Sequence, residues 1–332
     1  MYISQAYKGL TDWWRYIVGA IMAFIGVLVF SAPHAIAISI KTLQGAVDLD
    51  KMGDTNYLMG LFDSNLNLVF IMLPFLGGLI CLFLAVKLIH KLPILKLTTT
   101  RSAIDWKRIL FSFVVWGVVS SLFILVDYGI SPEEYMFNFQ LDKFLILLVI
   151  AVILIPIQTS FEEYLFRGYL MQGIGVISKS KLVPLIITSL IFGGLHIANP
   201  EVEKLGYTIM VYYIGTGLFL GIITLMDEGM ELSLGFHAAN NFFTALLVTS
   251  DWSALQTYSV FKDISEPGKA SLMEIFLPVF VVFPILLFIF SKKYEWTDWK
   301  EKLSGRVFPP IPDPILEGVT EPTLKEDSQK YN

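Results

Sequence analysis

"FLILLVIAVILIPIQTSFEEYLFRGYL", residues 144–170, decides how this chain is read. Its first part carries no charge, and at 1.5 Å per residue a helix over 144–161 covers about 27 Å. That is close to the thickness of a bilayer's hydrocarbon core, about 30 Å. Glu162, Glu163 and Arg167 then arrive with no Gly or Pro between them. On a helix Glu163 and Arg167 are i and i+4 with the glutamate first, the favourable order for an ion pair. Glu162 points about 100° away, so one carboxylate can be neutralised while its neighbour stays available.

The apolar character extends over the chain. Of 332 residues, 55% are hydrophobic and only 16% charged, with a mean hydropathy of +0.65; soluble domains are about 25% charged. Eight apolar runs of roughly 17–25 residues, each long enough to span a membrane, fall at about 16–40, 66–89, 109–130, 144–161, 183–199, 206–226, 231–250 and 273–291. The fold class is therefore all-α: a polytopic membrane protein with about eight transmembrane helices, in the cell (plasma) membrane. The first run is too long for the apolar part of a signal peptide and reads as a span.

Charge sets the orientation. With the N-terminus inside, only six of the 24 Lys and Arg fall on the outer side: Lys41, Lys51, Lys143, Lys204, Lys262 and Lys269. Such a bias over mostly short loops places both termini in the cytoplasm. Residues 1–302 form the transmembrane domain, and 303–332, rich in Pro and acid, read as a disordered cytoplasmic tail. "TDWWRY" and "YEWTDWK", flanking the first and last runs, read as interfacial aromatic belts. A single cysteine, Cys81, excludes a disulfide framework within one chain. Nothing suggests nucleic-acid binding.

Ionisable residues inside spans are costly and mark functional sites. Besides the glutamates, His196 lies in "FGGLHIAN" (192–199), and His237, Asn240 and Asn241 in "GFHAANNF" (235–242). His237 and Asn241 share a helix face, and Gly193 and Gly194 would let a neighbour approach His196 closely. A carboxylate in a partly dry pocket can act as a general base near neutrality. A histidine can share its water, and a second histidine with an asparagine amide can donate to an oxyanion. Glu162, His196 and His237 could equally hold a zinc ion with one open position; residue types leave both open, and no cofactor is certain. Each group also has a bland reading. A lone membrane histidine is often a satisfied hydrogen-bond partner, Asn240 reads as helix–helix packing, and His34 and His90 as structural. Asp127 and Glu228, at span ends, read as solvated.

In order along the chain, "EEYLFR", "FGGLH" and "HAANN" match E-E-x-x-x-R, F-x-x-x-H and H-x-x-x-N patterns. Over about 140–250 the sequence resembles the CPBP intramembrane proteases, which include CAAX prenyl endopeptidases and Abi-like bacteriocin-immunity relatives. The resemblance implies a helical domain whose cavity opens to the cytosol. It implies that Glu162 and His196 activate water, that His237 and Asn241 stabilise the oxyanion, and that Glu163 and Arg167 support Glu162. The family is commonly called metalloprotease, with a metal-free glutamate mechanism also argued; an asparagine beside His237 suits an oxyanion donor better than a zinc ligand. The substrate would be a peptide or membrane-protein segment near the cytoplasmic leaflet, with lipidated proteins as one class, and membrane lipid the surrounding partner. The alternative is a non-catalytic immunity or scaffold protein on the same fold. A proton-relay transporter fits less well, because the polar residues concentrate in the second half.

The span boundaries carry one tension. They put Glu162 near the cytoplasmic face, His237 about 9 Å in and His196 about 20 Å in. Groups that share one water lie within a few ångströms, so the fourth helix is expected to continue through about Gly168.

Overall fold

The start of two long helices is written in aspartates. Asp63 accepts from the Asn65 amide (3.0 Å) and Asp105 from the Lys107 amide (3.0 Å), satisfying first-turn donors that have no partner within the helix. In the computed structural model, which describes residues 1–266 and 272–309, helices carry all eight apolar runs. They are α1 (Trp13–Leu43), α2 (Ser64–Leu88), α3 (Trp106–Ile130), α4 (Leu141–Ser178), α5 (Leu182–Leu195), α6 (Met210–Asp227), α7 (Glu231–Leu247) and α8 (Leu272–Lys293). Six helical stretches among the described residues are long and apolar enough to cross a membrane, and the protein is a multi-pass integral membrane protein. The two that differ are α5, with only 14 residues, and α7, with 17. His237 lies on α7, and His196 directly follows α5.

Two boundaries depart from the sequence reading. The fourth run does not end at 161: α4 continues past Gly168 to Ser178, as the spacing of its polar groups required. The fifth stops early, because the chain leaves α-geometry at His196 for a 3₁₀ turn, His196–Ala198. Pro200 then opens the short helix Pro200–Leu205.

Small residues set the closest packing. A Cβ on Gly26 of α1 would lie 2.3 Å from the Gly77 carbonyl oxygen of α2, and one on Gly235 of α7 would lie 2.1 Å from the Ile109 carbonyl of α3. Only glycine permits these approaches, the usual route to tight helix packing in lipid. At one end of the bundle, three short strands tie the loops together: β1 (Tyr135–Phe137), β2 (Val248–Ser250) and β3 (Phe261–Asp263), in the order β1-β3-β2. Tyr135 pairs with Asp263 across the antiparallel β1/β3 ladder, and Val248 with Phe261 across the parallel β2/β3 ladder.

The opposite end collects the segments before α1 and after α8. Ser4 donates to the Phe308 carbonyl (3.2 Å), and Lys181 Nζ to the Glu301 carbonyl (2.7 Å). Residues 303–309, assigned by composition to the tail, pack here: Val307 is fully buried and its amide donates to the Lys179 carbonyl (3.1 Å). The rest of that segment, 310–332, lies outside the described residues. Trp296 corrects the belt reading of "YEWTDWK". It is buried, and its indole N–H donates to Asp227 (3.2 Å). Trp13 and Trp14 are exposed, as a belt requires.

Candidate active site

The candidate site begins with a break in helix geometry. Within α4, Tyr164–Leu170 form a π turn, a rare element frequent at functional sites. Side chains from distant segments hold it. Tyr2 donates to the carbonyls of Leu97 (2.7 Å) and Arg167 (3.1 Å), Tyr164 pairs with Thr98 (2.9 Å), and Tyr169 with His90 (2.8 Å). Those contacts close around the turn that carries Arg167.

Glu163 and Arg167 form the expected ion pair, Arg167 Nη1 to Glu163 Oε1, at 2.8 Å, with both side chains almost fully buried. Arg167 also donates to the Gly217 carbonyl of α6 (3.2 Å), and its guanidinium lies 4.3 Å from the Phe192 ring centre. His237 reaches in from α7. Its Nδ1 is 2.8 Å from Glu163 Oε1, and its Nε2 is 3.4 Å from Glu162 Oε2. Glu162 is therefore not isolated from Glu163: one imidazole links them. Both ring nitrogens face carboxylate oxygens.

Two oxygens in the cluster accept no hydrogen bond. Glu163 Oε2 is buried with no hydrogen-bond partner, and buried Glu162 Oε2 has only the 3.4 Å ion-pair contact with His237 Nε2. Ser233 lies beside Glu163, but its hydroxyl donates to the Met230 carbonyl (3.0 Å). Buried carboxylate oxygens are expected to be satisfied, so each open oxygen is a place where an added donor would be stabilised.

His196 sits at the C-terminal end of α5. Its Nδ1 is 2.8 Å from the Phe192 carbonyl, and its ring stacks on Tyr213 of α6 (centroids 4.4 Å, 26°). Phe192 stands between the histidines, 4.9 Å from the His196 ring and 5.8 Å from His237. Helix lengths explain how His196 reaches the level of Glu162. Glu162 lies about 24 Å along the axis from the end of α4, and His196 about 21 Å from the start of α5, with the short connection between them. The extension of α4 past Gly168 thus resolves the depth mismatch. Gly193 brings a neighbouring helix close to His196, as its size implies: a Cβ there would meet Ile214 of α6 at 2.4 Å.

Asn241 donates to Gln158 Oε1 (2.9 Å), one turn before Glu162. Asn240 has a packing role: its oxygen accepts from Trp116 (3.0 Å) and Tyr212 (3.2 Å). His34 stacks on Phe70 (5.1 Å, 8°), a structural role as read, whereas Asp127 accepts from the Tyr135 hydroxyl and is not simply solvated. Sequence reasoning missed Gln158, Trp116 and Tyr213. Gln158 had a signal, an uncharged polar residue four positions before Glu162 in an otherwise apolar run.

Glu162 and His237 keep a 3.4 Å separation, which two tetrahedral ligands at about 2.1 Å from an ion would also keep. Among the described residues, however, no group of three His, Cys, Asp or Glu side chains converges on a metal position. His196 does not complete a His₂Glu set with Glu162 and His237 in this conformation.

Comparison with known proteins agrees with this region of the chain. The family model described as "Type II CAAX prenyl endopeptidase Rce1-like" matches residues 141–243, a range that contains every residue of the cluster. The uncharacterized protein YyaK of Bacillus subtilis (strain 168) is 32% identical over 247 residues, 73% of this chain and 80% of its own length. No solved structure matches.

Proposed function

We propose, from the premise that the chain belongs to the Rce1-like type II CAAX prenyl endopeptidase family, that it is an intramembrane endopeptidase. It hydrolyses a peptide bond near the cytoplasmic leaflet, in a peptide or membrane-protein segment; a lipidated segment is the class the family's description suggests. The observation that carries this reading is the buried cluster of Glu162, Glu163, Arg167 and His237, in which two carboxylate oxygens accept no hydrogen bond.

Each residue then has a role. Glu162 removes a proton from the attacking water, and His196 holds that water through its Nε2, because its Nδ1 is engaged by the Phe192 carbonyl. The water oxygen bonds to the carbonyl carbon and the C=O π pair moves onto oxygen. His237 Nε2 and Asn241 donate to that oxyanion. As the C–N bond breaks, the amine leaves with the proton that Glu162 carried. Glu163 and Arg167 support the base: Glu163 orients His237 through Nδ1, and Arg167 balances Glu163. With no third ligand converging, no step is routed through a metal.

The test is cleavage of a membrane-peptide library by purified protein, with and without chelator, beside Glu162→Gln. Expected are cleavage by the wild type, insensitivity to chelator, and loss of at least 10³-fold in Glu162→Gln, at the upper end for a general base. Undiminished activity in Glu162→Gln would overturn the assignment. Loss in chelator with recovery in zinc would replace it by a metal-dependent site. No cleavage by the wild type, with a folded protein, would favour the non-catalytic immunity or scaffold role.

A further inference from the structure

Four side chains behind Glu162 form a chain of hydrogen bonds whose direction is forced. Trp116 Nε1 on α3 donates to Asn240 Oδ1 (3.0 Å), Asn240 Nδ2 to Asn241 Oδ1 (3.1 Å), and Asn241 Nδ2 to Gln158 Oε1 (2.9 Å). An indole N–H can only donate. The Asn240 atom facing it must therefore be oxygen, which turns its NH₂ toward Asn241. The Asn241 atom facing that NH₂ must be oxygen too, and the same logic makes Gln158 present its oxygen to Asn241. The Tyr212 hydroxyl, donating to Asn240 Oδ1 (3.2 Å), reinforces the first link.

The direction has a consequence at the far end. Gln158 is buried at 6% exposure, and none of its hydrogen bonds among the described residues uses Nε2. Asn241 Nδ2 has one N–H on Gln158 and one left over. Gln158 and Glu162 are i and i+4 on α4, so they stand on the same face about 6 Å apart. A carbonyl carbon between them would meet water held at Glu162 on one side. Its oxygen would meet free N–H groups on the other.

We propose that Gln158 Nε2 is a further oxyanion donor, paired with the free Asn241 N–H and added to His237 Nε2, and that Trp116 and Asn240 are positioning residues that aim it. This rests on the endopeptidase reading above. When the water oxygen bonds to the carbonyl carbon and Glu162 takes the proton, the C=O π pair passes to oxygen, where the Gln158 and Asn241 N–H groups receive it with His237 Nε2. The pair collapses back as the C–N bond breaks and the proton passes to the leaving amine. The donors strengthen as charge develops, so they act on kcat rather than on KM.

The experiment uses full-length protein in detergent or liposomes and one peptide found in the library screen. Gln158→Met keeps length and removes both donors; kcat is expected to fall 10²–10³-fold, the effect of removing one oxyanion donor, with KM within about threefold. Asn240→Asp is the sharper variant. Its second oxygen can only accept, so Asn241 must turn its NH₂ toward it and Gln158 must turn Nε2 toward Asn241. Every link survives but the direction reverses, and kcat should fall as in Gln158→Met. If these residues were only helix–helix glue, reversal would leave kcat unchanged. Trp116→Phe, which removes the fixed donor, should lower kcat by about tenfold and leave the pH profile in place. Unchanged kcat in folded Gln158→Met or Asn240→Asp overturns the donor pair; where Gln158→Met fails to fold, Asn240→Asp decides. Glu162→Gln inactive with Gln158→Met active sinks this inference alone, whereas Glu162→Gln active, or no cleavage by the wild type, sinks the peptidase reading and this inference with it.

Discussion

Two buried charge clusters share helix α7, and they are built to opposite ends. Where α6 hands over to α7, Asp227 and Glu231 meet Arg101 and Arg108. Arg101 bonds Asp227 Oδ2 (2.9 Å) and Glu231 Oε2 (3.0 Å), Arg108 and Trp296 take Asp227 Oδ1, and the Asp105 amide reaches Glu231 Oε1 (3.4 Å). Every carboxylate oxygen there has a partner. Two turns along α7, His237 faces Glu162 and Glu163, and there two oxygens accept no hydrogen bond. The first cluster joins the loop after α2 to the α6–α7 turn and has no capacity left for a ligand. The second has the same kinds of groups and has been left incomplete. Saturation, more than burial or charge, separates a latch from a site.

The comparison is sharpened by breaking each cluster. Removing one member of a fully buried pair leaves an uncompensated charge, at a cost of about 3–5 kcal/mol. Arg167→Met should show the largest effect: a lower thermal midpoint in detergent, with activity lost. In the double variant Glu163→Gln/Arg167→Met the charge pair is gone, and most of the midpoint should return while activity does not. If the single variant melts like the wild type, the pair does not hold the π turn.

Asp227→Asn comes next. Its arginines are partly exposed (side chains 23% and 20%), so water repays part of the loss, and the cost should be about 2–3 kcal/mol, that of hydrogen bonds to a charged group. Below its melting point this variant should keep kcat within about threefold, because its cluster touches no reacting atom. A large fall in kcat at intact stability would show that the latch and the site are one functional unit. Glu162→Gln, the converse case, should leave the midpoint nearly unchanged while abolishing cleavage, since the amide keeps an oxygen to face His237 Nε2, 3.4 Å away.

What the sequence revealed follows from range. All eight helices were legible because an apolar run of membrane length is a local signal, and so was the Glu163–Arg167 pair, at i and i+4. The π turn was not. "YLFRGYL" carries no mark of it, and its supports, Tyr2, Thr98 and His90, come from distant segments. The charges near Arg101 and Arg108 read as a loop on one side of the membrane, but nothing local showed that they lock onto Asp227 and Glu231, more than a hundred residues away. Trp296 was read as interfacial because tryptophan commonly is; its burial follows from Asp227, which sequence spacing does not connect to it. Depth failed for a simpler reason: hydropathy ends where charge begins, whereas α4 carries its charges inside the fold and continues.

Glu201 lies between the two clusters in kind. Its Oε1 accepts from the Ala254 amide (2.7 Å) and its Oε2 is buried with no hydrogen-bond partner. It sits on Pro200–Leu205, the short helix after His196, outside the spans. Burial raises its carboxyl above the ordinary range, only partly countered by the Ala254 amide. A carboxyl raised on folding binds its proton more readily folded than unfolded, so its contribution is fully present below the unfolded value and is lost as pH rises through the folded one. The tie between the His196 segment and the Ala254 loop should therefore loosen between acidic and neutral pH. Hydrogen exchange over residues 199–206 in wild type and Glu201→Gln, from pH 4 to 7 and corrected for intrinsic rates, reads this directly. Glutamine keeps the acceptor and removes the charge, so the two proteins should protect the segment equally at acid pH and the variant better at neutral pH. The effect is the smallest of the set, because one oxygen of the pair is satisfied. Equal protection across the range would mean that a single open oxygen can be tolerated without consequence, and the two open oxygens at Glu162 and Glu163 would then lose much of their weight as the mark of a site.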